Sequence, residues 1–320
     1  MKKFLVMLLA FAFTFAAATF VACEDDKTNE TDPPATEENG GDETGGGDGE
    51  ETGGGETGIS EVNGTKTLNE WLDGVGGKSE ITVNGTVVMN IGAGADKELG
   101  ADAVEEITLV GSGANSVVRA NGENSGEIRA NGNGKLIFED ITFEDSAYNY
   151  FEFGWKRNCI EFGGKLRFEN CTFNTSIFLG LDTDAEFINC TFNANEHEKI
   201  YSVWICDGNA TFTDCAFTGY RALKFHEETY AYDIETVTVD GCTFTNIEKK
   251  PGLALGTMHQ GEIETQLIVQ NCSFVNCANW STDCITGVNG FYETDTALSE
   301  FTFTATNNEI DGVVFDGTEE

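Results

Sequence analysis

The chain has 320 residues, enough for one large domain or two ordinary ones. It carries 18 Lys and Arg against 55 Asp and Glu, a formal charge of −37. That balance argues against nucleic-acid binding, and against docking on anionic lipid through basic residues. With only 3 Pro beside 38 Gly, collagen-like and proline-rich classes are excluded.

In chain order the first element is an address. Met1-Lys2-Lys3 precedes an apolar run from Phe4 to Ala22, broken only by Thr14 and Thr19. A short basic region followed by such a run reads as a secretory signal, and the run is also long enough for a membrane anchor. Phe20-Val21-Ala22-Cys23 resembles the lipobox of bacterial lipoproteins, with Phe20 where Leu is usual. The resemblance implies cleavage after residue 22 and lipidation of Cys23. Glu24-Asp25-Asp26 is similar to the acidic export signal of surface lipoproteins of Bacteroidota. The expected location is therefore a bacterial membrane, at the outer membrane or cell surface. Losing residues 1–22 removes two lysines from the formal −37 and leaves −39.

Residues 23–58 read as a disordered tether. Pro33-Pro34 leads into Gly-, Asp-, Glu- and Thr-rich sequence without apolar periodicity. Such a chain buries too little surface to offset its ordering entropy, and its charge extends it.

From 59 to 320 the sequence repeats. The units are Phe138-Glu-Asp-Ile-Thr-Phe143, Phe168-Glu-Asn-Cys-Thr-Phe173, Phe187-Ile-Asn-Cys-Thr-Phe192, Phe212-Thr-Asp-Cys-Ala-Phe217, Val239-Asp-Gly-Cys-Thr-Phe244 and Val269-Gln-Asn-Cys-Ser-Phe274, with a degenerate copy at Ala305–Ile310. The third position is Asp140, Asn170, Asn189, Asp214, Gly241, Asn271 and Asn307. These residue types tolerate the left-handed conformation of a tight bend. The fourth position, Ile141, Cys171, Cys190, Cys215, Cys242 and Cys272, shares a strand face with the Phe two residues later. The shortest interval, 19 residues between Cys171 and Cys190, leaves room for one more short strand. Three strands per coil predict an all-β parallel solenoid with coils about 4.8 Å apart.

This pattern resembles the right-handed parallel β-helix of the pectate-lyase-like superfamily, over residues 65–315. Thr67–Leu72, with Leu68, Trp71 and Leu72 on one face, reads as an N-terminal capping helix. Ile81–Val83 and Ile107–Leu109 open early coils, with Gly85 and Gly111 at their bends. The five Cys of the repeat read as a reduced internal ladder, because parallel Cβ vectors disfavour the disulfide torsion. Cys272, Cys277 and Cys284 are the source of any single bridge. No Cys-x-x-Cys pair offers a zinc site.

The third strand of each coil reads as carrying the inward pairs Ile160/Phe162, Leu179/Leu181, Trp204/Cys206, Leu223/Phe225 and Leu253/Leu255. That alignment places Asp182, Asp207 and His226 on successive coils, with Lys224 outward beside His226. As a polysaccharide lyase, Asp182 and Asp207 would share Ca²⁺, with Asp184 or Glu227 adding a ligand, and Lys224 would be the base, which is the logic of the lyases in the superfamily this chain resembles. As a glycoside hydrolase, the two aspartates would be acid and base. Against both stand the negative charge and the lack of an arginine-rich patch. A second cluster is aromatic: Tyr148, Tyr150 and Trp155 in one inter-coil loop, Tyr230, Tyr232 and Trp280 in later ones. Aromatic faces with polar handles suit sugar or protein contacts, and loops that fold back over the coils would use the same residues. The leading expectation is a monomeric, non-catalytic adhesion or glycan- or protein-binding module without cofactor. The alternatives are a lyase or hydrolase and a passive spacer.

Overall fold

A computed structural model describes residues 60–63, 77–90, 98–99, 104–121, 126–130, 135–144, 150–153, 164–179, 183–193, 201–205, 208–219, 221–225, 234–248, 251–255, 265–278, 285–286, 292–294 and 301–316. All lie within one compact unit, Gly54–Glu320. The signal segment, Cys23, the tether and the expected helix at Thr67–Leu72 fall outside the described residues.

Every element described is a strand, and the strands form three sheets of ten, ten and nine, parallel except for the pairs Ile285–Thr286 with Tyr292–Thr294 and Asn308–Ile310 with Val313–Phe315. One coil illustrates the path. Gly164–Glu169 lies in the first sheet, Thr172–Asn174 in the second and Ser176–Leu179 in the third; Thr183–Ile188 then returns to the first sheet beside Gly164–Glu169. The three-strand parallel coil expected from the spacing is the coil observed.

The bend between the first and second sheets works as its residue types require. Asp140, Asn170, Asn189, Asp214, Gly241, Asn271 and Asn307 all take positive φ, between 51° and 66°. Their side chains tie neighbouring coils: Asn189 Nδ2 donates to Asn170 Oδ1 at 2.8 Å, and Asn307 Nδ2 to Asn271 Oδ1 at 2.9 Å. A second left-handed position in the last coils lies at Asn246, inside the strand Thr243–Ile247, and at Asn276 and Asp311, just past Ser273–Val275 and Asn308–Ile310.

Register stacks identical residues. Phe138, Phe168, Phe187 and Phe212 pair in sequence on the first sheet. Phe143, Phe173, Phe192, Phe217, Phe244 and Phe274 do so on the second. Within each stack the ring centroids are 4.5–5.2 Å apart and nearly parallel. Between the stacks the rings meet edge-on at 5.1–6.2 Å. Coil spacing thus equals ring-stacking distance, and both favoured aromatic geometries fill one core.

The fourth-position column is buried, and Cys171, Cys190, Cys215, Cys242 and Cys272 are free thiols, as the ladder reading requires. Each donates to a carbonyl of the preceding coil: Phe138, Phe168, Phe187, Phe212 and Val239 respectively, at 3.4–3.5 Å. Polar residues close the column at both ends. Ser116 Oγ donates to Val83 O at 2.7 Å, and Asn308 Nδ2 to Val269 O at 2.9 Å. Cys277 is also a free thiol, set at the other corner of its coil.

Candidate functional site

The third sheet is where the site residues were expected, and its phase needs a correction. Ile177, Val203 and Leu223 share one inward column, and Leu179, Ile205 and Phe225 the next. All six are fully buried. The inward residues of the strand Val203–Ile205 are therefore its two ends, and Trp204 faces outward, contrary to the Trp204/Cys206 pairing read from sequence. A three-residue strand gives too little alternation to fix phase, and the β-branched ends take the core. Leu223/Phe225 and Leu179 are inward as expected.

With this register, Asp182, Asp207 and His226 follow the aligned residues Leu179, Ile205 and Phe225 by three, two and one positions. They, and with them the expected Ca²⁺ pair Asp182/Asp207, lie outside the described residues. So do Tyr148, Trp155, Tyr230, Tyr232 and Trp280. Tyr150 begins the strand Tyr150–Phe153, which pairs with Ser176–Leu179.

Lys224 is placed. It shares the outward column with Trp204 and Ala254, as its alternation predicts. It is not solvated, however: only 4% of it is exposed, and Ala254 beside it is fully buried. The outer face of the third sheet is thus covered at these two coils.

The side chains that gather there were not recognised as a group from sequence. Tyr201, one turn residue ahead of the strand, is buried and meets Trp204 edge-on at 6.4 Å. The Arg221 guanidinium lies 5.3 Å from the Tyr201 ring centroid, and Lys224 Nζ 5.6 Å from it. Ser202 fixes the pair of coils: its Oγ donates to Arg221 O at 2.9 Å. Two cations from one coil therefore rest on one aromatic ring of the coil before, with Trp204 and Arg221 half-buried at the margin. Cation–ring attraction of this kind helps hold a positive group in place. The signal in the sequence was the matching placement of Tyr201 and Arg221, each two residues before its strand. Nothing in apolar patterning marks it.

The outer face of the first sheet carries its charge differently. Glu139 and Glu169 are paired in register, and Arg167 donates to Glu169 at 2.8 Å. Partial burial and the Glu169 charge raise the Glu139 carboxyl above its ordinary value.

Residues 158–319, half of the chain, match the family profile described as the right-handed β-helix region. The chain belongs to that family. Its repeats, its parallel coils and its single-residue bends are those of a right-handed β-helix. A search of curated proteins finds no match.

Proposed function

We propose that this β-helix is the ligand-binding domain of a lipid-anchored bacterial surface protein, and that it binds glycan or protein without catalysis. The observation that supports this most is the half-buried margin of the third sheet's outer face, where Trp204 and Arg221 rest on the buried Tyr201. Trp204 offers an apolar face steadied by Tyr201, and Arg221 offers a planar cation held over the same ring. Such pre-ordered groups cost little entropy to use in recognition. Burial of Lys224 supports binding over the lyase reading, because a base must reach the substrate proton. Cys23 as a lipid site and residues 23–58 as a spacer fit a domain displayed away from its membrane.

The test is retention of the protein on neutral and acidic polysaccharides, with and without Ca²⁺, scored together with release of reducing or unsaturated ends. Retention without cleavage, weakened about tenfold by Trp204→Ala, is the expected result. Cleavage abolished by Asp207→Ala or Lys224→Met would replace the reading with the enzyme. Acylation of the wild-type chain but not of Cys23→Ser checks the anchor.

A further inference from the structure

Among the described residues three large apolar side chains stand exposed: Val275, Val313 and Val314. All three lie on the last three strands of the second sheet, Ser273–Val275, Asn308–Ile310 and Val313–Phe315. The final strand is turned back antiparallel by Asp311 and Gly312, both with positive φ, as a tight hairpin turn requires. It forms the edge of the sheet.

The register shows what is left open. Phe274 pairs with Ile310, and Ile310 with Val313. Val313 thus continues the inward phenylalanine column by one step, and it is 68% exposed. Val314 pairs with Glu309 on the other face and is 64% exposed. Edge strands are ordinarily blunted by lysine, proline or a bulge. This strand has none of these, and its one blunting feature is its length of three residues.

Charge selects the occupant. Glu309, Asp311 and Asp316 surround the strand and are exposed. Asp311 accepts the Asn276 N–H at 2.8 Å, and Asp316 accepts that of Asn307, so both are held at fixed positions. Residues 251–320 contain eleven carboxylates and no Lys or Arg. Two such ends would repel each other, which disfavours a second copy, whereas a basic chain would be drawn in.

We propose that Val313–Phe315 is a docking edge for an extended basic segment of a partner protein. The segment adds as one more strand of the second sheet. Its apolar side chains cover Val313 on the inward face, and its Lys or Arg side chains lie with their aliphatic stems along Val314 on the other face and pair with Glu309, Asp311 and Asp316. Backbone pairing with alternate side-chain contacts is an established mode of peptide recognition. The inference is independent of glycan binding at Trp204.

The test uses the whole chain and labelled peptides of about eight residues, long enough for one strand. One alternates Val and Lys, a second alternates Val and Glu, and a third is the Val-Lys peptide with alternate backbone amides methylated. Fluorescence anisotropy should show saturable, salt-sensitive binding of the first alone. The methylated peptide should bind at least about tenfold more weakly, and so should the first peptide to the Val313→Thr/Val314→Thr variant. Threonine keeps the β-branch, and an unchanged melting curve confirms folding. Equal binding of the methylated peptide would reduce the effect to charge and overturn the proposal, as would binding unaltered in the double variant or no binding at all. Sedimentation of the chain alone supplies the remaining outcome. Self-association lost in the double variant would assign the edge to a second copy instead.

Discussion

The sulfur of Cys242 accepts the backbone N–H of Cys215, one coil away, at 3.4 Å. The contact places the thiol column in the hydrogen-bonding scheme of the bend as well as in the core. Each sulfur also donates to a carbonyl of the preceding coil, so a small apolar residue such as Ala would leave that carbonyl without this partner.

Thiol reactivity should follow. Cys190 is pushed up to about 12 by its hydrogen bond with the Cys171 thiol and then by burial, and Cys215 to about 12 in the same way by Cys190. Cys242 is also raised, first by Cys215. Cys277 is pushed up to about 11, chiefly by burial. Only thiolate alkylates readily. Mass spectrometry after brief alkylation at pH 8 should find Cys277 labelled ahead of Cys190, Cys215 and Cys242, which should react only in denaturant. Labelling of those three as fast as that of Cys277 in the native protein would contradict this.

A pH dependence of stability accompanies it. The folded state keeps thiol protons that the unfolded chain releases above the ordinary value of 9.0. Above that pH the native state binds more protons, so stability falls as pH rises. The contribution should be intact below about pH 9 and lost progressively toward pH 12, read as a declining melting temperature. Replacing Cys190 and Cys215 by Ser should lower stability at neutral pH and flatten that decline.

The phenylalanine stacks make a second prediction. Phe187 lies 4.8 Å from both Phe168 and Phe212 and meets Phe192 edge-on at 5.5 Å. Phe187→Ala should cost about 3–5 kcal/mol, and Phe187→Leu clearly less, in urea unfolding. Each coil contacts mainly its neighbours, so the loss should open coils near Phe187 first. Hydrogen exchange should show lost protection concentrated in Gly164–Glu169, Thr183–Ile188 and Gly208–Thr213.

What could be read in advance depended on whether chemistry or length set the pattern. Asn170, Asn189 and Asn271 announce the bend because few residue types tolerate positive φ, and Cys and Phe two apart announce the inward face. The third sheet carries no such mark. Val203–Ile205 has three residues, and Val-Trp-Ile and Trp-Ile-Cys both look like core, so Trp204 was turned the wrong way. The cluster of Tyr201 with Arg221 and Lys224 escaped for another reason: it depends on contacts between residues 20 or more positions apart. Asn246 and Asn276 take positive φ as the first-bend asparagines do, but only in the last coils, so no repeat in the sequence marks them.

The sequence marks Gly85 and Gly111 alike as bend glycines, and the structure separates their reasons. Gly85 has φ +93° with open space around it. Gly111 does not have positive φ; a Cβ there would run into the Asp140 carbonyl oxygen and lie 2.9 Å from Ser116 Cβ. One needs glycine for its backbone, the other for its lack of volume. Gly85→Asn should therefore cost at most about 1 kcal/mol, because asparagine visits left-handed conformations. Gly111→Ala should cost about 1–3 kcal/mol, because backbone must move and nothing flexible can yield. The shift would also disturb the hydrogen bond from Ser116 to Val83, where the buried column begins. Urea midpoints of the two variants give the comparison. A Gly111→Ala protein as stable as the wild type, beside a severely destabilised Gly85→Asn protein, would show the two roles to be reversed.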